Sequence, residues 1–135
     1  MIARCARMLY AFVAGRILFA FFHLASAFNH FKSLNQYAQY AGSKKVPAPK
    51  LAVAGSGILL LIGGLSILLG YRPPIGVAAL VLFYLGVTPV MHNFWAAGPE
   101  QKQHEMVNFM KNVALLGATL MFLAIGEPWP FRVGP

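Results

Sequence analysis

The stretch LAVAGSGILLLIGGLSILLG, residues 51–70, is apolar from end to end and carries no charged residue. A helix of this length covers about 30 Å, the thickness of the hydrocarbon core of a bilayer. Three other stretches have a similar length and are mostly apolar: Met8–Phe28, Pro74–Phe94 and Met106–Gly126. The sequence therefore predicts an all-α protein, an integral membrane four-helix bundle that forms a single membrane domain over residues 1–135.

The composition supports a membrane protein and excludes several functional classes. Hydrophobic residues make up 59% of the chain and charged residues only 10%, which is unusual for a soluble domain of this size. The net charge is +8, but the basic residues are scattered over termini and loops. We therefore expect contact with the lipid bilayer and its anionic headgroups, and no nucleic-acid partner. Cys5 is the only cysteine, which excludes an intramolecular disulfide and a C-x-x-C redox pair.

A short amphipathic segment separates the first two spans. Apolar residues recur at helical spacing over Phe31–Ala41, which predicts a short helix lying in the membrane interface. Gly42 can end this helix, and the sequence VPAP at residues 46–49 forces an extended entry into the second span.

Small residues form a stripe on the second span. Ser56, Gly63 and Gly70 recur every seven residues and are flanked by Gly57 and Gly64. Such a stripe lets another helix approach closely. It is a packing device, and it favours one alternative function: a non-catalytic accessory or scaffold subunit within a larger membrane complex.

Polar residues gather on one side of the predicted bundle. Because successive spans alternate in direction, the ends of spans one and three and the start of span four lie on the same side. Their polar residues form a candidate ligand-binding cluster: Asn29, His30, His92, Asn93, Trp95, Asn108, Lys111 and Asn112. No residue of the chain is identified as catalytic.

Two interpretations of His30 and His92 stay open. They are interfacial histidines bonded to loop carbonyls, or they bind the carbonyls of a lipophilic ligand such as a quinone or relay protons. No cofactor is fixed by the sequence; a quinone is compatible with the cluster. Haem is disfavoured because no further haem motif is present. No metal site is predicted, since His30, His92 and Glu105 follow no fixed ligand spacing.

A second polar pattern runs along the first span. Arg16, His23 and His30 are spaced by seven residues, and such a stripe drifts only about 20° per heptad. Polar side chains facing lipid are costly, so we predict that they form a polar seam facing inward. Arg16 is expected to reach the headgroups or to pair with Glu127. The seam also allows a small transporter or proton path, although the inverted repeats of secondary transporters are missing.

The order and spacing of seven short motifs resemble the DoxX family: Gly15-Arg16, Asn29-His30-Phe31, VPAP at residues 46–49, Gly63-Gly64, Leu69-Gly70-Tyr71-Arg72, His92-Asn93-Phe94-Trp95 and Asn108-Phe109-Met110-Lys111-Asn112. The resemblance implies a multi-pass protein of the bacterial inner (plasma) membrane with cytoplasmic termini. Charge alone gives no orientation, because basic residues divide almost evenly between the two sides.

The resemblance also carries an expectation about function. The family takes its name from a subunit of a thiosulfate:quinone oxidoreductase, and relatives are linked to redox homeostasis. It therefore implies a small subunit that supports quinone-linked electron transfer or redox homeostasis, with other membrane protein subunits as partners. Most members have no assigned reaction, so membership does not determine the chemistry.

Overall fold

Five α-helices make up the described fold. The computed structural model describes residues 2–134, with side chains from Cys5 onward, so the two end residues of the predicted domain lie outside the described residues. The helices are α1 (Ile2–Lys32), α2 (Leu34–Ser43), α3 (Pro49–Leu69), α4 (Pro73–Met91) and α5 (Pro99–Met121). Four of them, α1, α3, α4 and α5, are long and apolar enough to cross a membrane. The predicted all-helical bundle of four spans with a short connecting helix is confirmed.

The helices extend beyond the apolar stretches from which they were predicted. The first span ends at Lys32 instead of Phe28, and the last begins at Pro99 instead of Met106. Hydropathy detects only the apolar part of a helix, whereas the backbone stays helical until a residue breaks it. Gly98 and Pro99 supply that break at the start of α5, with Pro99 at a first-turn position where its missing N–H is not needed.

The central helix of the bundle is α3. It packs against α1, α2 and α4, and α4 packs in turn against α5. Its buried side chains Leu60 and Ile67 meet Leu80 and Tyr84 of α4 and Ala20 of α1 in one apolar core. Many large apolar side chains point outward instead, as expected for helices that contact hydrocarbon.

The stripe of small residues on α3 packs inside this protein. Gly57 lies against Phe31 of α1, with a Cβ built at the glycine 3.0 Å from the ring. Gly63 lies against Leu80 of α4, so closely that any Cβ there would collide with the leucine side chain. The stripe therefore brings α1 and α4 into close contact with α3. Its spacing gives no reason to expect a helix of another protein at this surface.

The C-terminal segment turns back over α1 and is held there by Arg16. The buried guanidinium donates from Nη1 to the carbonyl of Pro130 at 2.8 Å and from Nη2 to the carbonyl of Phe131 at 3.2 Å. The backbone carbonyls thus take the place that Glu127 was expected to occupy. This arrangement fixes the segment after α5 at the end of the bundle that carries the chain termini.

Aromatic rings fill the same end of the bundle. Trp129 is buried and packs edge-on against Phe12, with ring centroids 5.3 Å apart. Phe122, just after α5, lies 5.4 Å from Trp129 and 5.0 Å from Phe19 of α1. These contacts close the space between α1 and the end of α5.

The glycine contact between α3 and α4 gives a test of the packing. We expect Gly63→Ala to lower the free energy of unfolding by roughly 1–3 kcal/mol, because the methyl group overpacks the contact with Leu80. Gly55→Ala on the same helix is the control, since nothing lies within 4 Å of its Cβ position. Unfolding in mixed detergent micelles measures both. Equal stability of the two variants would contradict the close crossing.

Candidate functional site

A cavity of about 520 Å³ lies in the half of the bundle away from the chain termini. Side chains from all five helices line it, and most of its wall is apolar, including Leu60, Phe83 and Val87. The cavity exists because α1 and α5 make no extensive backbone contact there, and the C-terminal segment fills the space between them only at the other end. Its volume lies within the range of roughly 300–1,000 Å³ that is typical of small-molecule sites.

The structure brings four of the eight predicted cluster residues to this cavity. His30 of α1, His92 at the end of α4, and Lys111 and Asn112 of α5 all line it. These residues come from separate segments of the chain, and the packing of the helices gives them one shared environment. Tyrosines join them from α2 and α4: Tyr37, Tyr40 and Tyr84.

The other four residues of the predicted cluster do not line the cavity. Asn29 and Trp95 are exposed, and the Trp95 ring packs against Phe109 with centroids 5.8 Å apart. The side-chain oxygen of Asn93 accepts a hydrogen bond from Lys44 Nζ at 3.2 Å. These residues therefore border the site without facing its interior.

Asn108 acts on the cavity through its neighbour. Its Oδ1 accepts a hydrogen bond from Lys111 Nζ at 3.1 Å, which fixes the ammonium at the cavity wall. A lysine ammonium has three N–H donors. Lys111 therefore keeps donors for a bound molecule.

Asn112 is the one cavity residue whose side chain is buried without a described hydrogen bond. It is 7% exposed and lines the cavity, and no partner for its amide is found among the described residues. Its amide atoms stay accessible from the cavity. Its amide can donate from nitrogen and accept at oxygen, so it points to a polar group that occupies the cavity.

Glu105 organises the polar end of the site. Its carboxylate is buried; Oε1 accepts a hydrogen bond from the Tyr40 hydroxyl at 2.8 Å, and Oε2 accepts one from Nδ1 of His92 at 2.8 Å. The ammonium of Lys44 lies 3.8 Å from Oε1. One carboxylate thus ties together α2, the segment after it, α4 and α5.

The same carboxylate adds to the effect of burial on the pKa of Tyr40. Burial of the hydroxyl end, followed by the hydrogen bond to Glu105 and its negative charge, raises the pKa of Tyr40 to about 12. The phenol therefore keeps its proton at physiological pH. Tyr40 is a permanent donor to Glu105, and α2 stays attached to α5 through this bond.

His23 forms a buried pair with Tyr84 at the inner end of the cavity. Its Nδ1 lies 2.7 Å from the carbonyl oxygen of Phe19, and its Nε2 lies 2.7 Å from the Tyr84 hydroxyl. A carbonyl only accepts, so Nδ1 carries the proton and Nε2 accepts from the tyrosine. The pair satisfies two polar groups deep in the bundle.

The predicted polar seam faces inward but is not continuous. Arg16 is 4% exposed and His23 is fully buried, while His30 is half-buried. Each residue bonds to a different group: Arg16 to C-terminal carbonyls, His23 to Tyr84, and His30 through Nδ1 to the carbonyl of Ser26 at 2.8 Å. No hydrogen bond among the described residues connects one member of the seam to the next.

Sequence reasoning weighed Glu105 as a metal ligand, but it did not select four side chains of this candidate site as ligand-binding residues: Tyr40, Lys44, Tyr84 and Glu105. A signal existed for two of them. Glu105 is one of only three acidic residues in the chain, and Tyr84 lies within a long apolar run where a hydroxyl needs a partner. For Tyr40 and Lys44 only their side of the membrane was predictable. In the described part of the chain, no three His, Cys, Asp or Glu side chains are grouped to hold a metal ion.

Comparison with known proteins identifies the family. The DoxX family model matches residues 11–93, more than half of the chain. The chain belongs to the DoxX family. The match includes Arg16, His30 and His92, whereas Glu105 and the rest of α5 lie beyond it. This DoxX-family chain is therefore an integral membrane protein whose candidate cavity combines residues inside and outside the matched region.

A bacterial relative aligns over almost the whole chain. This DoxX-family protein is 32% identical over 129 residues to the inner membrane protein YphA of Escherichia coli (strain K12). The alignment covers 93% of this chain and 86% of the relative. No solved structure matches the chain significantly.

The Glu105 network gives the second test. We expect Glu105→Gln to lower the free energy of unfolding by roughly 1.5–3 kcal/mol, because the hydrogen bonds from Tyr40 and His92 lose their charged acceptor. Thermal unfolding in detergent measures the change. Glu100→Gln is the control on the same helix, since Glu100 is exposed. Similar stability of both variants would show that Glu105 does not hold the helices together.

Proposed function

We propose that this protein is a small membrane subunit that supports quinone-linked electron transfer or redox homeostasis, and that its cavity binds the ring of a lipophilic quinone. The observation that carries the proposal is the amide of Asn112, which has no hydrogen-bond partner among the described residues and faces a largely apolar cavity. A quinone is apolar apart from its two carbonyls. It therefore matches a cavity with apolar walls and few polar groups.

The residues of the cavity fit such a ring. Lys111 and Asn112 carry free N–H donors that suit a carbonyl oxygen. Phe83 and Leu60 offer apolar surface for the ring and the start of its tail. When bound, a quinone would supply electron-transfer chemistry that no side chain of this protein provides, while the protein would bind and orient the ring.

The proposed location is the bacterial inner membrane, with both chain termini in the cytoplasm. The relative's name as an inner membrane protein supports this location. The cavity lies in the half of the bundle away from the termini, so it would face the periplasmic leaflet.

A binding measurement tests the proposal. The protein in lipid nanodiscs is titrated with decylubiquinone, and saturable binding is expected. The double variant Lys111→Met, Asn112→Leu should lower the affinity at least about tenfold, because it removes the free donors while keeping side-chain volume. The matched control is Lys102→Met, Asn29→Leu, since both of these residues are exposed and lie outside the cavity.

Two results would contradict a quinone site. One is the absence of saturable binding by the unaltered protein; the other is an equal loss of affinity in the control. Purification in mild detergent distinguishes a quinone-binding subunit from the alternative, a non-catalytic accessory or scaffold subunit. Stoichiometric co-purification with a larger membrane complex, without quinone in the extracted lipid, would favour the scaffold.

A further inference from the structure

Two serines that line the cavity use their hydroxyl protons in hydrogen bonds to backbone carbonyls. Ser26 Oγ donates to the carbonyl of Phe22 at 2.8 Å, and Ser56 Oγ donates to the carbonyl of Val53 at 2.9 Å. Both serines line the cavity. Because each hydroxyl has one proton and two lone pairs, the two oxygens can only accept from a bound molecule.

Two tyrosines that line the cavity also use their hydroxyl protons in hydrogen bonds within the protein. Tyr84 donates its proton to Nε2 of His23, whose other nitrogen is fixed as the donor to a backbone carbonyl. Tyr40 donates to the Glu105 carboxylate. Each phenol oxygen is left with lone pairs only, so both present acceptors to the cavity.

The two cavity histidines also present acceptors. His30 donates from Nδ1 to the carbonyl of Ser26, and no charged group contacts it among the described residues, so its imidazole is neutral with a lone pair on Nε2. His92 donates from Nδ1 to Glu105. In the neutral tautomer that this bond selects, the lone pair of His92 is on Nε2 and accepts.

The polar wall is therefore strongly unbalanced. Six side chains offer an acceptor and no free proton: Ser26, His30, Tyr40, Ser56, Tyr84 and His92. Free donors come from Lys111 and Asn112 on α5, and the Tyr37 hydroxyl, which has no partner among the described residues, can act either way. A wall of this kind is satisfied by a molecule that brings its own protons.

We infer that the cavity selects a ring bearing hydroxyl groups, the hydroquinone form, over the corresponding quinone. The inference rests on the proposed function, that a quinone-type ring occupies the cavity, and adds which form binds. The two carbonyl oxygens of a quinone only accept, so they bond to Lys111 and Asn112 and leave the acceptors on α1, α3 and α4 without a donor. The two O–H groups of a hydroquinone donate to lone pairs on α1, α3 or α4, and their oxygens still accept from Lys111 and Asn112.

Three probes that share one ring system test the selection: 2-methyl-1,4-naphthoquinone, the corresponding 1,4-diol, and the dimethyl ether of that diol. Calorimetric titration into protein nanodiscs is done anaerobically at pH 8, above the usual titration range of imidazole. The diol is expected to bind at least about tenfold more tightly than the quinone, a difference of about 1.4 kcal/mol. The ether, which has no O–H, is expected to bind no better than the quinone.

A variant pair locates the selection in the cavity. His30→Phe removes one acceptor and keeps an aromatic ring, so it should weaken diol binding several-fold more than it weakens quinone binding. Asn29→Phe is the control, because Asn29 is the preceding residue of α1 and is exposed. Unfolding temperatures of both variants establish that they are folded.

The outcomes separate the two proposals. If the quinone binds as tightly as the diol or more tightly, or if the ether matches the diol, the selection is wrong while the quinone-ring site stands. If none of the three probes binds, the proposed function fails and the selection fails with it.

Discussion

Hydrocarbon offers no hydrogen bonds, so most polar side chains buried in this bundle are bonded to partners within the protein. That constraint explains each internal contact of a polar side chain. Arg16 holds the C-terminal carbonyls, His23 holds Tyr84, and Glu105 accepts from Tyr40 and His92. Each contact joins segments that are distant in sequence, so satisfying the polar groups also fixes how the helices are arranged.

The space between α1 and α5 differs between the two ends of the bundle. At the end that carries the termini, Trp129 and Phe122 fill it, and Arg16 fastens the returning chain. At the other end no described side chain lies in this space, which forms the cavity. A filled end that stabilises the bundle, beside an open end that holds polar groups, is the arrangement expected of a binding site built into a small helical protein.

Membership of the DoxX family establishes the class of protein and leaves the chemistry to the site. The family model ends before α5, yet α5 contributes the carboxylate that orients His92 and the cavity amide of Asn112, which has no partner among the described residues. The direction of each hydrogen bond is the most informative property of the cavity, because it shows which protons are already engaged in bonds within the protein. A list of polar residues without those directions does not distinguish a donor-lined cavity from an acceptor-lined one.

The sequence by itself determined the four spans and that the polar residues gather on one common side of the bundle. Both follow from local sums: hydropathy over about twenty residues gives a span, and counting crossings gives a side. Only the tertiary structure decided which residues meet. Asn29 and His30 are neighbours on α1, yet one is exposed and the other lines the cavity. Glu105 became the centre of the network for the same reason. The rotation of each helix about its axis is set by contacts such as Gly63 with Leu80, and such contacts depend on two segments at once.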